Sequence, residues 1–169
     1  MLTFNEIIDS FSRTAPSKVV VNDEYRKLSY RELETSGTKL AGYLKNIGIK
    51  KGDRVALLAF NCIEYAEIFY ATSKLGSLIV PINFRFSTQE VIDIWKNAKP
   101  KCLIFQKSFL QIYNELLARK LIEKKKCICI NKNLKEVNCA LYNDIFKKKN
   151  VSSKKLVNRS KPQDYWSLM

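Results

Sequence analysis

Short apolar runs alternate with longer stretches of helical period along most of this chain, and that alternation constrains its fold more than any other feature. Four stretches open with one device: Thr3-x-x-Glu6, Ser29-x-x-Glu32, Asn61-x-x-Glu64 and Ser87-x-x-Glu90. Each fits a capping box or its Asn variant. The first side chain accepts a backbone N–H of the first helical turn, and the glutamate reaches back to the capping residue and favours the positive helix end. In the second stretch Leu33, Gly37, Leu40, Ala41, Leu44 and Ile47 fall on one helical face. Gly48 stands where a left-handed C-terminal residue is wanted, with Ile49 placed to close over it. The third helix, about Ile63 to Leu75, is expected to end the same way at Gly76.

The intervening runs read as strands. Val19-Val20-Val21 precedes the turn residues Asn22-Asp23, and a returning strand at Lys27–Ser29 completes a hairpin. Val55–Ala59 is apolar without alternation, as in a strand covered on both faces. Leu78-Ile79-Val80, Cys102–Phe105 and Cys127-Ile128-Cys129-Ile130 read similarly. Strand, helix, strand in succession specifies an α/β fold, a mainly parallel sheet with right-handed helical crossovers.

Composition narrows the function classes. At 169 residues and 46% hydrophobic, the chain can bury a real core, and no run approaches the length of a membrane span. Met1–Glu6 lacks the basic start and apolar stretch of a secretory signal, so a cytoplasmic location is the expectation. Histidine is absent, which excludes an imidazole base or ligand within this chain. Of the five cysteines only Cys127 and Cys129 are close. Their spacing fits alternate residues on one strand face better than a zinc site, and an odd count without an export signal argues for free thiols. The net charge of +14 sits mostly in residues 119–161, in Lys124–Lys126, Lys147–Lys149 and Lys154-Lys155. These lysines lack the interleaved aromatics of a nucleic-acid reader, so a solvated basic surface is favoured, and no specific nucleic acid is expected. Residues 147–161 read as a flexible basic loop.

Several segments together resemble the N-terminal part of the adenylate-forming (AMP-binding) superfamily. Leu28-Ser29-Tyr30-Arg31-Glu32-Leu33 is similar to its first core motif, L-[TS]-Y-x-E-L. Gly48–Ala56 resembles the G-[IV]-x-x-G-D-x-V-A stretch, and Asn61 and Glu64 match the N-x-x-E that follows. Lys74–Asn83 resembles the second core motif, K-x-G-[AG]-x-x-x-P-[IL]-[ND]. Each motif is mostly structural, and their order carries the signal. Pro81-Ile82-Asn83-Phe84-Arg85-Phe86 looks like the form common in acyl- and aryl-CoA ligases rather than in peptide-synthetase domains.

The resemblance implies activation of a carboxylate, fatty or aryl, by ATP and Mg2+ to an acyl adenylate, then transfer to coenzyme A. It implies that the chain is an N-terminal portion of the large adenylate-forming domain, incomplete at its C-terminus, with the small swinging C-terminal domain absent. The family's phosphate loop, rich in Ser, Thr and Gly and ending in P-K-G, is not found. Its nearest echo, Thr35-Ser36-Gly37-Thr38, lies inside the second helix, where backbone N–H groups are already used. Asp164–Met169 resembles the strand that leads into that loop, which would begin at about the next residue. No catalytic, cofactor-binding or metal-binding residue is therefore carried over. Arg85 is the one charged residue of a core motif without an evident structural task, and an ion pair or loop anchor is the plainer reading of it. ATP, Mg2+ and CoA are implied for the complete enzyme, not for this chain alone. A truncated gene, a split gene or a partial sequence would each account for this, and in the split case the implied partner is a second chain carrying the rest of the synthetase. A different reading stays open, a non-catalytic module that uses residues 119–161 to hold a partner chain, nucleic acid or an anionic membrane, with weak anionic-surface binding.

Overall fold

The computed structural model describes residues 2–130 and 137–147. In chain order these form α1 (Phe4–Thr14), β1 (Val19–Asn22), β2 (Lys27–Ser29), α2 (Tyr30–Asn46), β3 (Arg54–Leu58), α3 (Glu64–Leu75) and β4 (Leu78–Pro81). There follow α4 (Thr88–Ala98), β5 (Cys102–Gln106), α5 (Leu110–Ala118), β6 (Cys127–Ile130), β7 (Ala140–Leu141) and α6 (Tyr142–Lys147). β1 and β2 make the expected antiparallel hairpin. The other five strands form one parallel sheet in the order β4-β3-β5-β6-β7.

Period-2 alternation sorts the strand side chains between two apolar layers. Val55, Leu57, Ile104 and Ile128 join Leu40, Leu44, Ile68 and Ile145 on the face covered by α2, α3 and α6. Ala56, Leu58, Leu103 and Phe105 join Val91, Trp95, Ile112 and Leu116 under α4 and α5. Covering both faces explains why these strands read as continuous apolar runs. A third cluster, Ile8, Leu33 and Tyr70, seats α1 on α2 and α3.

Three of the four capping boxes are present, at Thr3/Glu6, Ser29/Glu32 and Ser87/Glu90. The fourth is not. The residue before α3 is Ile63, already helical at φ −64° and ψ −26°, and no side chain of its own turn caps it. Two contacts distant in sequence replace the box. Asp23 accepts the Ile63 N–H at 3.3 Å, and Glu64 turns to Arg26 at 2.8 Å. Helix ends follow expectation. Gly48 adopts φ 91°, its N–H meets Lys45 O at 3.0 Å, and Ile49 N–H meets Leu44 O at 3.0 Å. That double bond pattern needs a left-handed residue at position 48, where glycine carries no Cβ penalty. α3 closes on Gly76 in the same way.

Lys147 is the last residue of α6. The remainder of the expected loop 147–161, and Asp164–Met169, lie outside the described residues.

Candidate functional site

In a parallel sheet of this order the connection after β3 runs to β4 on one side, and the connection after β5 runs to β6 on the other. The loops at the carboxyl ends of β3 and β5 therefore diverge at a switch point, the place where open α/β sheets hold ligands. A cleft of about 760 Å³ opens there, lined by Asp23 and Arg26 from the hairpin turn, Asn61 and Glu64 beyond β3, Gln106 at the end of β5, and Asn143 on α6. Gln106 ties the two strands together, its side-chain carbonyl accepting the Phe60 N–H at 2.8 Å. Tyr25, 90% exposed, stands at the mouth.

Asp23 is the hinge of the wall. One carboxylate oxygen accepts the N–H groups of Tyr25 and Arg26, each at 2.9 Å, and the other accepts Ile63 N–H. The N–H bonds from Tyr25 and Arg26, followed by those from Ile63 and the charge of Arg26, hold its carboxyl below the usual range. Arg26 lies 2.8 Å from Glu64 and 3.6 Å from Glu67. Glu67 is only 3% exposed and accepts the Tyr142 hydroxyl at 2.8 Å. Burial raises its pKa above the ordinary 4.5, against the opposing pull of Ser36, Tyr142 and Arg26.

That shift predicts a pH dependence. A carboxyl whose folded pKa is raised contributes stability that is fully present below 4.5 and is lost as pH rises through the folded value. Glu67→Gln keeps an acceptor for Tyr142 and removes the ionisation. It is expected to be more stable than the wild type at pH 7, with the gap closing as pH falls toward 4.5. Glu67→Ala strands the Tyr142 hydroxyl and is expected to cost about 1–3 kcal/mol. Urea unfolding across pH checks both.

The thiols offer no nucleophile. Burial, then Glu64, pushes Cys62 up to about 12 at the cleft wall. Burial likewise raises Cys102 and Cys129 to about 12 and Cys139 to about 11. Cys127 and Cys129 sit as alternate residues of β6 and both enter the layer under α4 and α5. Among the described residues no group of three His, Cys, Asp or Glu side chains could hold a metal ion.

The other sequence candidates fall away from the cleft. Arg85 is exposed in the loop after β4, 5.4 Å over the Phe84 ring, and makes no ion pair among the described residues. Its N–H meets the Asn83 side chain at 3.0 Å, so it anchors a turn. Thr35–Thr38 lies within α2, where Ser36 Oγ donates to Glu32 O at 2.8 Å and Gly37 faces the Tyr70 ring. Sequence reasoning missed Gln106, Glu67 and the Asp23–Arg26 wall. The lone polar residue ending an apolar strand at Gln106 was the available signal.

Comparison with known proteins agrees with this architecture. A family model described as AMP-binding enzyme matches residues 8–169. Over 79 residues, 47% of this chain and 16% of the relative, the chain is 38% identical to the long-chain-fatty-acid–CoA ligase FadD13 of Mycobacterium tuberculosis. Over 91 residues, 54% of this chain and 18% of the relative, it is 34% identical to a crotonobetaine/carnitine–CoA ligase of Salmonella paratyphi A. The solved anthranilate CoA ligase AuaEII, bound to anthranoyl-AMP, superposes with a TM-score of 0.86 at 20% identity, covering 98% of this chain and 31% of that one. The chain thus spans about a sixth of the length of the curated relatives it matches. Its fold is that of the front of the N-terminal domain in these ligases.

Proposed function

This chain belongs to the AMP-binding enzyme family, and we propose that it serves as the front scaffold of an acid–thiol ligase that joins a fatty or aryl carboxylic acid to coenzyme A through an acyl adenylate. The observation that carries this reading is the placement of the four motifs. Leu28–Leu33 turns the hairpin into α2, Gly48–Ala56 enters β3, Asn61 and Glu64 line the cleft, and Lys74–Asn83 runs through β4. The relatives act on different carboxylates by their names, so the reading stops at the carboxylic acid class.

The lining of this cleft does not fit a nucleoside triphosphate. The cleft carries Asp23, Glu24 and Glu64 against a single guanidinium, Arg26, which is committed to Glu64. Polyphosphate needs free N–H groups and unspent cations, and the phosphate-binding groups would come from elsewhere in the protein or from a second chain. ATP, Mg2+ and CoA are then ligands of the complete assembly. The described part of the basic segment supports a solvated surface over an anion-binding module. Arg119 pairs with Glu115, Lys125 and Lys126 with Glu123, and Lys147 with Asp144. A cytoplasmic setting goes with this reading, and no helix among the described residues is long and apolar enough to cross a membrane.

Reading the coding DNA beyond the Met169 codon tests the proposal. A Ser/Thr/Gly-rich stretch ending in Pro-Lys-Gly, in any frame, is the expected result. Its absence from every frame would leave the ligase resemblance as ancestry and favour a binding module.

A further inference from the structure

We propose that the face formed by the amino ends of β3, β5 and β6 binds the phosphodiester backbone of a nucleic-acid duplex without reading its bases. The inference stands apart from the ligase reading and would hold for a non-catalytic module as well. Residues 47–54, 96–101 and 119–126 lead into these three strands and carry three, three and five cations against two carboxylates, Asp53 and Glu123. β5 lies between β3 and β6, with neighbouring strands about 4.8 Å apart, so three segments distant in sequence share one face. The Lys101 N–H donates to Arg54 O at 2.8 Å and the Trp95 indole N–H to Leu121 O at 3.0 Å, which ties the segments together. The cleft, with Asp23, Glu24 and Glu64, lies at the opposite, carboxyl end of the sheet.

Asp53 is taken by Lys101, and Glu123 is shared between Lys125 and Lys126, so a large surplus of positive charge remains. Lys50, Lys96, Lys99, Lys120 and Lys124 are exposed, and none makes an ion pair among the described residues. Two of these lysines occupy costly backbone. Lys99 and Lys120 follow α4 and α5 at φ 48° and 57°, and they are the two described residues other than glycine at positive φ. α2 and α3 stop on Gly48 and Gly76 in that half of conformational space. A lysine there bears a Cβ penalty that glycine avoids. Lys120 lines a depression with Pro100, Lys101 and Lys126, and Lys99 adjoins Pro100. Positive charge is thus kept at the two places where the backbone favours its loss.

The composition of the face selects the kind of polyanion. Its three segments hold no aromatic residue on which an unpaired base could stack, which argues against a single strand. None of the exposed large apolar residues among the described ones belongs to them, so the face lacks the apolar anchor that membrane binding adds to charge. Protein interfaces centre on aromatic and arginine side chains and are poor in lysine, the reverse of what stands here. Spaced ammonium groups suit the phosphate rows of a duplex, where each acts as a point charge and releases a counterion.

The test follows the anisotropy of fluorescein-labelled DNA and RNA duplexes of about 20 base pairs, titrated with the full chain at salt from about 50 to 200 mM. Saturable binding is expected, with log K falling against log[salt] at a slope of about −3 or steeper, and with duplexes of unlike sequence agreeing within about twofold. The double variant Lys99→Gly/Lys120→Gly is expected to raise the urea midpoint, because glycine relieves both left-handed residues. The same variant is expected to weaken duplex binding about fivefold or more, with a slope shallower by about 2. Lys99→Arg/Lys120→Arg keeps both charges and is expected to bind as the wild type does. Four results would each overturn the site: no salt-dependent binding, an unchanged slope in the glycine variant, a preference of more than about tenfold between DNA and RNA duplexes, or tighter binding to phosphatidylserine vesicles than to either duplex at equal salt.

Discussion

Replacing Gly37 by alanine is expected to destabilise the chain by about 2–3 kcal/mol, although alanine is the better helix former by about 1 kcal/mol in an exposed helix. The reason is how closely α2 and α3 approach. A Cβ at position 37 would sit 2.3 Å from Tyr70 Cδ1, and 3.1 and 3.2 Å from its neighbours in the ring. The ring has nowhere to go. Tyr70 is fully buried, its hydroxyl donates to Asp9, and Lys74 Nζ donates to that hydroxyl at 2.7 Å while pairing with Asp9 at 3.2 Å. A ring pinned at its far end cannot slide to admit a methyl group, so the helices must part. In a Tyr70→Leu background the same substitution is expected to cost much less, giving a coupling energy well above 0.5 kcal/mol in a double-mutant cycle. Equal costs in both backgrounds would mean that the ring does not set the spacing.

The second large effect is expected on the other face of the sheet. Phe105→Ala should cost about 3–5 kcal/mol, a large part of the roughly 5–15 kcal/mol that holds a domain of this kind together. Phe105 is fully buried in β5, the strand between β3 and β6, and stacks on Tyr113 with centroids 4.6 Å apart and planes 13° apart. Removing the ring opens a cavity where β5 meets α5, and the flanking Leu103 and Leu116 are held by their own elements and cannot fill it. Urea unfolding gives the measurement, with a lowered midpoint at unchanged slope as the expected result. Phe105→Leu, which keeps most of the volume, should lose less than half as much. The cleft hangs from the ends of β3 and β5, so these two substitutions also probe whether its walls depend on the core.

Much of this architecture is legible in the chain because local chemistry and tertiary structure agree. Ser29 with Glu32, and Ser87 with Glu90, fix their helix starts from within four residues, and Gly48 and Gly76 stop helices by the same local rule. Apolar runs such as Cys102–Phe105 announce a strand buried on both faces. Asn61-x-x-Glu64 has the same local form and a different fate. Glu64 is drawn to Arg26, 38 positions away, and the Ile63 N–H to Asp23, 40 away. No local pattern competes with an ion pair that exists only once the hairpin has folded onto α3. β7, two residues, and α6, six residues, are too short to show a period. The cleft was hidden for the same reason, since its lining runs from Asp23 to Asn143 and is assembled by strand order alone. Gly37 marks the point where a sequence echo misleads. Set beside Thr35, Ser36 and Thr38 it imitates a phosphate loop, while its lack of a side chain serves the Tyr70 ring.

The central claim is that this chain contributes a scaffold and a cleft wall to acyl activation while the phosphate chemistry resides elsewhere. ATP–pyrophosphate exchange by the purified 169-residue chain alone, assayed with Mg2+ and a panel of fatty and aryl carboxylic acids, tests it most directly. The account predicts exchange at the rate of the protein-free blank with every acid. Carboxylate-dependent exchange above that blank would contradict it, because the groups that hold the phosphates would then have to lie within these residues.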